Sequence, residues 1–430
     1  MPQHSRSVRV AKTFFTILAA FFLCGSCVGV YFVPDRKMVP VDFMGVIDEI
    51  NDTQERSRYL SDLGVAWVRA DFRWTWVESK QGHWNFQQFD DYIKNSAEAG
   101  RKVLGILDYE TEWIYPEGKT RSYIPPDKVP FFLNYVRALA ERYRGKIGAW
   151  EIWNEPNNPF FWEGPLEEFF SLSKLTAQAI REIDPDVPIA AGSTWGVPLS
   201  WLEGMHRMGA FDLANVVSFH PYGTDENNSL FFMDQGQVFM NRLGFRGEYW
   251  ITEIGYPSGG WYPSHTTEDE QAARLVRFYT SAASQGIARV FWYRLLQDHV
   301  PAGNYNSEGF FGLAYRDYQE KPAAAAFRTV AHIIPGSFYS PEAATIEGIR
   351  RDDIVCLPFV KDSKLFLFVW AKGSEKYHVS VGDRYGHDFS REIVAAGPAG
   401  SDLVDRRPQL LTFDYLPGEQ VALNVSIVQK

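Results

Sequence analysis

Two glutamates each close an apolar run and stand just before a turn. Glu155 follows IGAWEIW in the segment Trp153-Asn154-Glu155-Pro156-Asn157, and Glu253 follows EYWI in Thr252-Glu253-Ile254-Gly255-Tyr256. A pair of carboxyl groups brought face to face can cleave an acetal. One must hold a proton and give it to the leaving oxygen, while the other stays ionised and attacks the anomeric carbon. Different surroundings can separate the two pKa values in that sense. Other residues suited to such a site sit near the ends of similar runs: Arg69 in VAWVRADF, His220 and Tyr222 in VVSFHPY, and Trp292 in ARVFWYRL. Trp74, Trp113 and Trp195 also follow apolar runs. Aromatic residues make up 16% of the chain, with 14 Trp and 21 Tyr, so sugar-stacking platforms are available, although a large core also absorbs such residues. Asp108, Glu110 and Glu112 in LDYETEW offer either hydrogen bonds to sugar hydroxyls or a solvated loop.

The elements that must position these residues alternate. Apolar runs read as strands at 43–47, 65–72, 102–109, 147–154, 188–195, 216–222, 248–256 and 288–295. Amphipathic helical spacing lies between or after them, at about 53–63, 86–99, 130–143, 166–183, 201–208, part of 229–243, 268–285 and 322–334. Asn51-Asp52-Thr53 caps the first helix, and Gly64 closes it. Near-continuous apolar strands are those of a parallel sheet buried on both faces. Eight strand–helix units predict a (β/α)8 barrel over 35–336, with catalytic side chains at the C-terminal strand ends. An open doubly wound sheet would carry a Gly-rich phosphate turn after its first strand, whereas DEINDT follows FMGVI.

After Pro335-Gly336 the helical period stops. Short β-rich runs at 354–360, 364–371, 377–382, 410–415 and 420–428 predict a small antiparallel, sandwich-like β domain over 337–430. At the other end, Arg6, Arg9 and Lys12 precede an uncharged apolar run from Thr13 to Val33. That is the pattern of a signal-anchor or signal peptide over 1–34, and the run matches the ~20 residues that span a bilayer. Cys27 after Gly25-Ser26 adds lipidation as a third outcome. The expectation is a membrane-tethered catalytic domain outside the cytoplasm, or a secreted one if the segment is cleaved.

The 430 residues carry a net charge of -10, so the basic field required by phosphate backbones is missing and no nucleic-acid partner is expected. Three cysteines are too few for a disulfide scaffold, and Cys356 reads as a small buried hydrophobe. No CxxC pair or His-rich cluster points to a metal, and no cofactor is expected. The sequence is silent on oligomeric state.

WEIWNEPN (150–157) with WITEIGYPS (250–258) resembles the retaining glycoside hydrolases of clan A. The segment VRADFRWTWVESKQGHWNFQQFDDYI (68–93) is most similar to family 39, particularly its membrane-associated members linked to exopolysaccharide assembly; family 5-like cellulases share many of these features. The resemblance implies Glu155 as general acid/base and Glu253 as nucleophile. It further implies Asn154 on the sugar 2-hydroxyl, Tyr222 orienting Glu253, and Arg69 beneath Glu253 favouring its charged form. His220 would shape the sugar site and Trp292 would form a stacking floor, with Trp74, Trp113 and Trp195 as further subsites. The implied substrate is an oligo- or polysaccharide with β-linkages, such as one the cell itself exports. A transglycosylase, or a binding or assembly protein on an inactive barrel, would use the same residues.

Overall fold

The computed structural model describes residues 38–50, 53–115, 122–299, 306–348, 353–381, 389–393 and 403–428. The segment expected at 1–34 as a signal-anchor or signal peptide lies outside them, and no helix among the described residues is long and apolar enough to cross a membrane. Eight parallel strands close a barrel in chain order: β1 (Met44–Ile47), β2 (Trp67–Asp71), β3 (Lys102–Leu107), β4 (Ala149–Ile152), β5 (Ile189–Trp195), β6 (Val216–His220), β7 (Glu248–Ile254) and β8 (Arg289–Trp292). The helices around it are α1 (Gln54–Asp62), the short α2 (Trp74–Val77), α3 (Gln87–Glu98), α4 (Val129–Tyr143), α5 (Leu166–Ile183), α6 (Leu199–Arg207), α7 (Glu226–Arg242), α8 (Glu268–Ser284) and α9 (Pro322–Ile333). Thr53 caps α1 by accepting the Arg56 N–H at 3.1 Å. Thr267 caps α8, whose first turn carries Glu268, Asp269 and Glu270, the charge sign that a helix N-terminus favours.

Large and small residues interlock inside the barrel. Trp67, Trp250 and Phe291 fill its lower interior beside Ala149 and Ala190, and the Trp67 and Trp250 rings meet edge-on at 5.3 Å. A side chain at Gly45 would meet the Phe291 ring at 2.5 Å, so glycine is required there by space. Two residues further along their strands, where the period-2 alternation points inward again, stand Arg69, Glu151, Ser218 and Thr252, all buried. This polar layer is the floor of the cleft. Most of the strands end earlier than the apolar runs do, because residues such as Asp108, Trp153 and Tyr293 already belong to the turns that carry the site.

Two short strands, β9 (Leu296–Gln297) and β10 (Ala314–Tyr315), tie the loops above β8. The C-terminal part then forms two sheets. One contains β11 (Phe338–Tyr339), β13 (Ile354–Lys361), β14 (Lys364–Ala371), β16 (Phe389–Ile393) and β18 (Gln409–Asp414). The other contains β12 (Ala344–Glu347), β15 (Tyr377–Val381), β17 (Leu403–Val404) and β19 (Val421–Ile427). Leu365, Leu367 and Val369 of the first sheet share a core with Val379, Leu423 and Val425 of the second, so the pair is a sandwich. Pairing within the two sheets is antiparallel except between β12 and β19, the first and last strands of the second sheet, which run parallel. The alternate residues of β14, Phe368 and Trp370, belong to the core of the barrel and its helices. β14 is therefore apolar on both faces, and residues 35–430 form one compact unit.

Candidate active site

The turn after β4 and the C-terminal end of β7 bring the two glutamates together. Donor oxygens of Glu155 and Glu253, with one ring nitrogen of His220, lie within 4.8 Å of one another. Glu155 sits in left-handed backbone (φ 46°), as does Trp153 (φ 65°), a conformation that costs roughly 1–3 kcal/mol and persists where the surroundings dictate it. Here the Glu155 N–H donates to the Ser193 carbonyl at 2.8 Å, at a register shift between β5 and β6.

Arg69 links the pair to the barrel floor. Its Nε donates to Glu151 at 2.6 Å, Nη1 to Glu253 at 3.1 Å and Nη2 to the Asn154 Oδ1 at 2.9 Å. Asn154 also donates to the Tyr109 hydroxyl at 3.1 Å and faces the cleft. The Tyr222 hydroxyl donates to Glu253 Oε1 at 2.8 Å. His220 is fully buried, with Nδ1 2.9 Å from Glu155 Oε1 and Nε2 3.1 Å from Thr252 Oγ1. It does not line the cleft, so it supports the Glu155 carboxyl rather than shaping the sugar site directly.

Burial raises both carboxyl groups of the pair. It pushes Glu155 up to about 7, against the opposing pull of Arg69 and Asn158 and with help from Glu308. Burial also raises Glu253; His220, Arg69 and Tyr222 pull it down without fully cancelling that effect, so Arg69 favours the charged form without setting it alone. Burial drives His220 down to about 4, leaving a neutral ring at neutral pH. A protonated Glu155 can then direct its proton at Nδ1 while the ring proton points to Thr252, a tautomer assigned from partners. At Glu151, burial is outweighed by Arg69, His220 and Thr252, and its carboxylate is held below the usual range.

The cleft above the pair has a volume of about 1060 Å³, at the upper limit of the ~300–1,000 Å³ typical of small-molecule sites. Of the four additional tryptophans expected to line it, Trp195 does, half exposed. Trp292 is fully buried: it lies on the outward face of β8, packs on Tyr256 and Tyr279, and donates to the Phe311 carbonyl. The next residue, Tyr293, faces the cleft instead and donates to Glu308 at 2.6 Å. Trp74 is buried against Phe132 and Tyr135 and donates to Glu78. Trp113 packs edge-on against Trp74 with its N–H on the Glu78 carbonyl, away from the cleft. Among the aromatic residues that join Trp195 in the lining are Trp76 of the short helix α2 and Trp261, Tyr262 and Tyr293 of the loops above β7 and β8. Asp108 neither reaches the cleft nor forms a solvated loop. It is fully buried, and burial together with nearby Asp71 holds its carboxyl well above the usual range.

Glu151 is the functional candidate that sequence reading passed over. Its signal was a charge inside the otherwise apolar strand AWEI, matched by Arg69 inside WVRAD. Two opposite charges in strands buried on both faces have to find each other. Glu155, His220 and Glu253 also form the one group among the described residues whose donors are close enough to hold a metal ion. The Arg69 guanidinium 3.1 Å from Glu253 already supplies the positive charge there.

A closed parallel barrel with two carboxyl groups facing each other at the ends of its fourth and seventh strands is the arrangement that glycoside hydrolases of the (β/α)8 class use. The chain belongs to the cellulase family (glycosyl hydrolase family 5), whose model matches residues 39–293. Among curated proteins, a "Beta-xylosidase" of Caldicellulosiruptor saccharolyticus is 40% identical over 123 residues, covering 26% of this chain and 25% of that protein. "Endo-1,4-beta-xylanase 5" of Arabidopsis thaliana is 20% identical over 221 residues, covering 47% of this chain and 37% of its own length. The chain thus spans between a quarter and two-fifths of these relatives' length. A solved family 39 glycoside hydrolase from Bacteroides cellulosilyticus WH2 shares the fold with a TM-score of 0.70 at 20% identity, over 86% of this chain and 80% of that one. A family 39 β-xylosidase from Caulobacter crescentus does so with a TM-score of 0.61 at 15% identity, over 89% and 98%.

Proposed function

We propose that the protein is a retaining glycoside hydrolase cleaving β-glycosidic bonds of a polysaccharide by double displacement. The carrying observation is the approach of the Glu155 and Glu253 oxygens to within 4.8 Å. Retaining enzymes place their carboxyl groups ~5–5.5 Å apart, and inverting ones ~6.5–9.5 Å apart to admit a water. Glu253 attacks the anomeric carbon as Glu155 protonates the leaving oxygen. Glu155, now ionised, then takes a proton from water, which releases the sugar from Glu253. Asn154, at the cleft surface, suits the 2-hydroxyl.

The xylosidase and xylanase relatives favour a xylan-like backbone. The apolar segment at 13–33 favours a tethered enzyme acting outside the cytoplasm, for which a self-produced exopolysaccharide is the matching substrate. Incubating residues 35–430 with a panel containing both kinds of polymer, followed by proton NMR of the first-formed anomer, tests the reading. A retained configuration is expected, and an inverted one would overturn the mechanism. Full-length protein is expected to pellet with membranes; a soluble chain shortened by about 30 residues would replace the anchor with a cleaved signal.

A further inference from the structure

We propose that Glu151 is a positioning residue whose buried negative charge sets the protonation of the catalytic pair through Arg69. The proposal rests on the reading of Glu155 and Glu253 as that pair. Glu151 is fully buried in the middle of β4, four residues before Glu155 and beneath the cleft. Its Oε2 accepts from Arg69 Nε at 2.6 Å, and its Oε1 accepts from the Ser193 hydroxyl at 2.8 Å. Ser193 in turn offers its carbonyl to the Glu155 N–H. One carboxylate therefore holds both the guanidinium under Glu253 and the β5 bulge whose Ser193 carbonyl accepts the Glu155 N–H.

Charge balance explains why an anion belongs there. Arg69 is shared between two carboxylates, Glu151 on one side and Glu253 on the other. Without Glu151, the whole positive charge of Arg69 would fall on the catalytic pair. Glu253 would be held as a tight ion pair and made a poorer nucleophile, and Glu155 would ionise at lower pH and lose the proton it must donate. With Glu151 present, the buried unit of Arg69 and Glu151 is neutral, and Arg69 orients Glu253 through a hydrogen bond without over-stabilising its charge. The Ser193 hydroxyl holds the Glu151 carboxylate toward Arg69, and these two contacts fix the triad across β2, β4 and β5.

Glu151→Gln keeps the shape and removes the charge. The test is carbon-13 NMR titration of glutamate side-chain carboxyls in residues 35–430 without substrate, with Glu155 assigned by Glu155→Gln. Removing a neighbouring negative charge stabilises ionised Glu155, so its midpoint is expected to fall by about one pH unit. An unmoved midpoint in a folded Glu151→Gln protein would overturn the proposal and leave Glu151 as a structural ion-pair partner. This readout needs no turnover, so a wild-type protein that hydrolyses nothing would overturn the proposed function while the titration still judges Glu151. If Glu151→Gln does not fold, Ser193→Ala carries the test. It leaves the charge in place and releases its orientation, so the Glu155 midpoint is expected to move by a few tenths of a unit, and a wild-type midpoint would overturn the proposal.

Discussion

Tyr222→Phe removes a single hydroxyl, the one that donates to Glu253 Oε1 at 2.8 Å. The ring itself stays packed edge-on against Tyr262 and Phe311, so the fold is expected to persist. A hydrogen bond to a charged group contributes roughly 1.5–3 kcal/mol, and one pKa unit corresponds to about 1.36 kcal/mol. The donor stabilises the ionised nucleophile, so its loss raises the Glu253 pKa by roughly 1–2 units, on top of the upward push of burial. In kcat/KM against pH the acid limb, which reports Glu253 in the free enzyme, therefore moves up by roughly 1–2 pH units. The basic limb, set by Glu155 at about 7, stays close to its place. The two limbs belong to a coupled pair, so the bell narrows and its maximum falls as the acid limb approaches the basic one. Kinetics on a soluble aryl glycoside from pH 4 to pH 9, with thermal unfolding of both proteins as a control, measure this. An acid limb that stays in place while the protein remains folded would refute the assignment of Tyr222 to Glu253.

Three further outcomes follow from burial and placement. Trp292→Ala, at a fully buried site, is expected to cost about 3–5 kcal/mol of stability, read by denaturant unfolding, with KM of the surviving enzyme little changed. Trp195→Ala, half exposed in the cleft, should leave stability within about 0.5 kcal/mol and raise KM for polymer several-fold. Asp108 has a raised folded-state pKa, so the folded chain holds its proton longer and stability falls as pH rises above the unfolded value near ~3.9. Asp108→Asn removes that loss, so its melting temperature is expected to exceed wild type at pH 7 and to converge with it toward pH 4.

The barrel was legible because its strands, buried on both faces, read as continuous apolar runs, each paired with an amphipathic helix. Glu155 and Glu253 were legible because both the barrel count and their motifs place them at strand ends. The tryptophans were not. Near a strand end one residue's shift exchanges the inward and outward faces, and only the closed register separates Trp292 from Tyr293. Trp76 sits in a single helical turn, α2, and Trp261 and Tyr262 lie in a loop, where no period assigns a direction. Glu151 escaped notice because its meaning depends on Arg69, 82 residues away. The parallel β12–β19 pairing joins the two ends of the C-terminal module and leaves no local trace.

The central claim is that Glu253 becomes covalently bonded to sugar. Incubation with an activated 2-deoxy-2-fluoro-β-glycoside that stalls the second step, followed by proteolysis and mass mapping, tests it directly. The account predicts one added sugar on the peptide containing Trp250–Tyr256, absent from Glu253→Gln. Attachment at Glu155, or labelling that persists in Glu253→Gln, would contradict it.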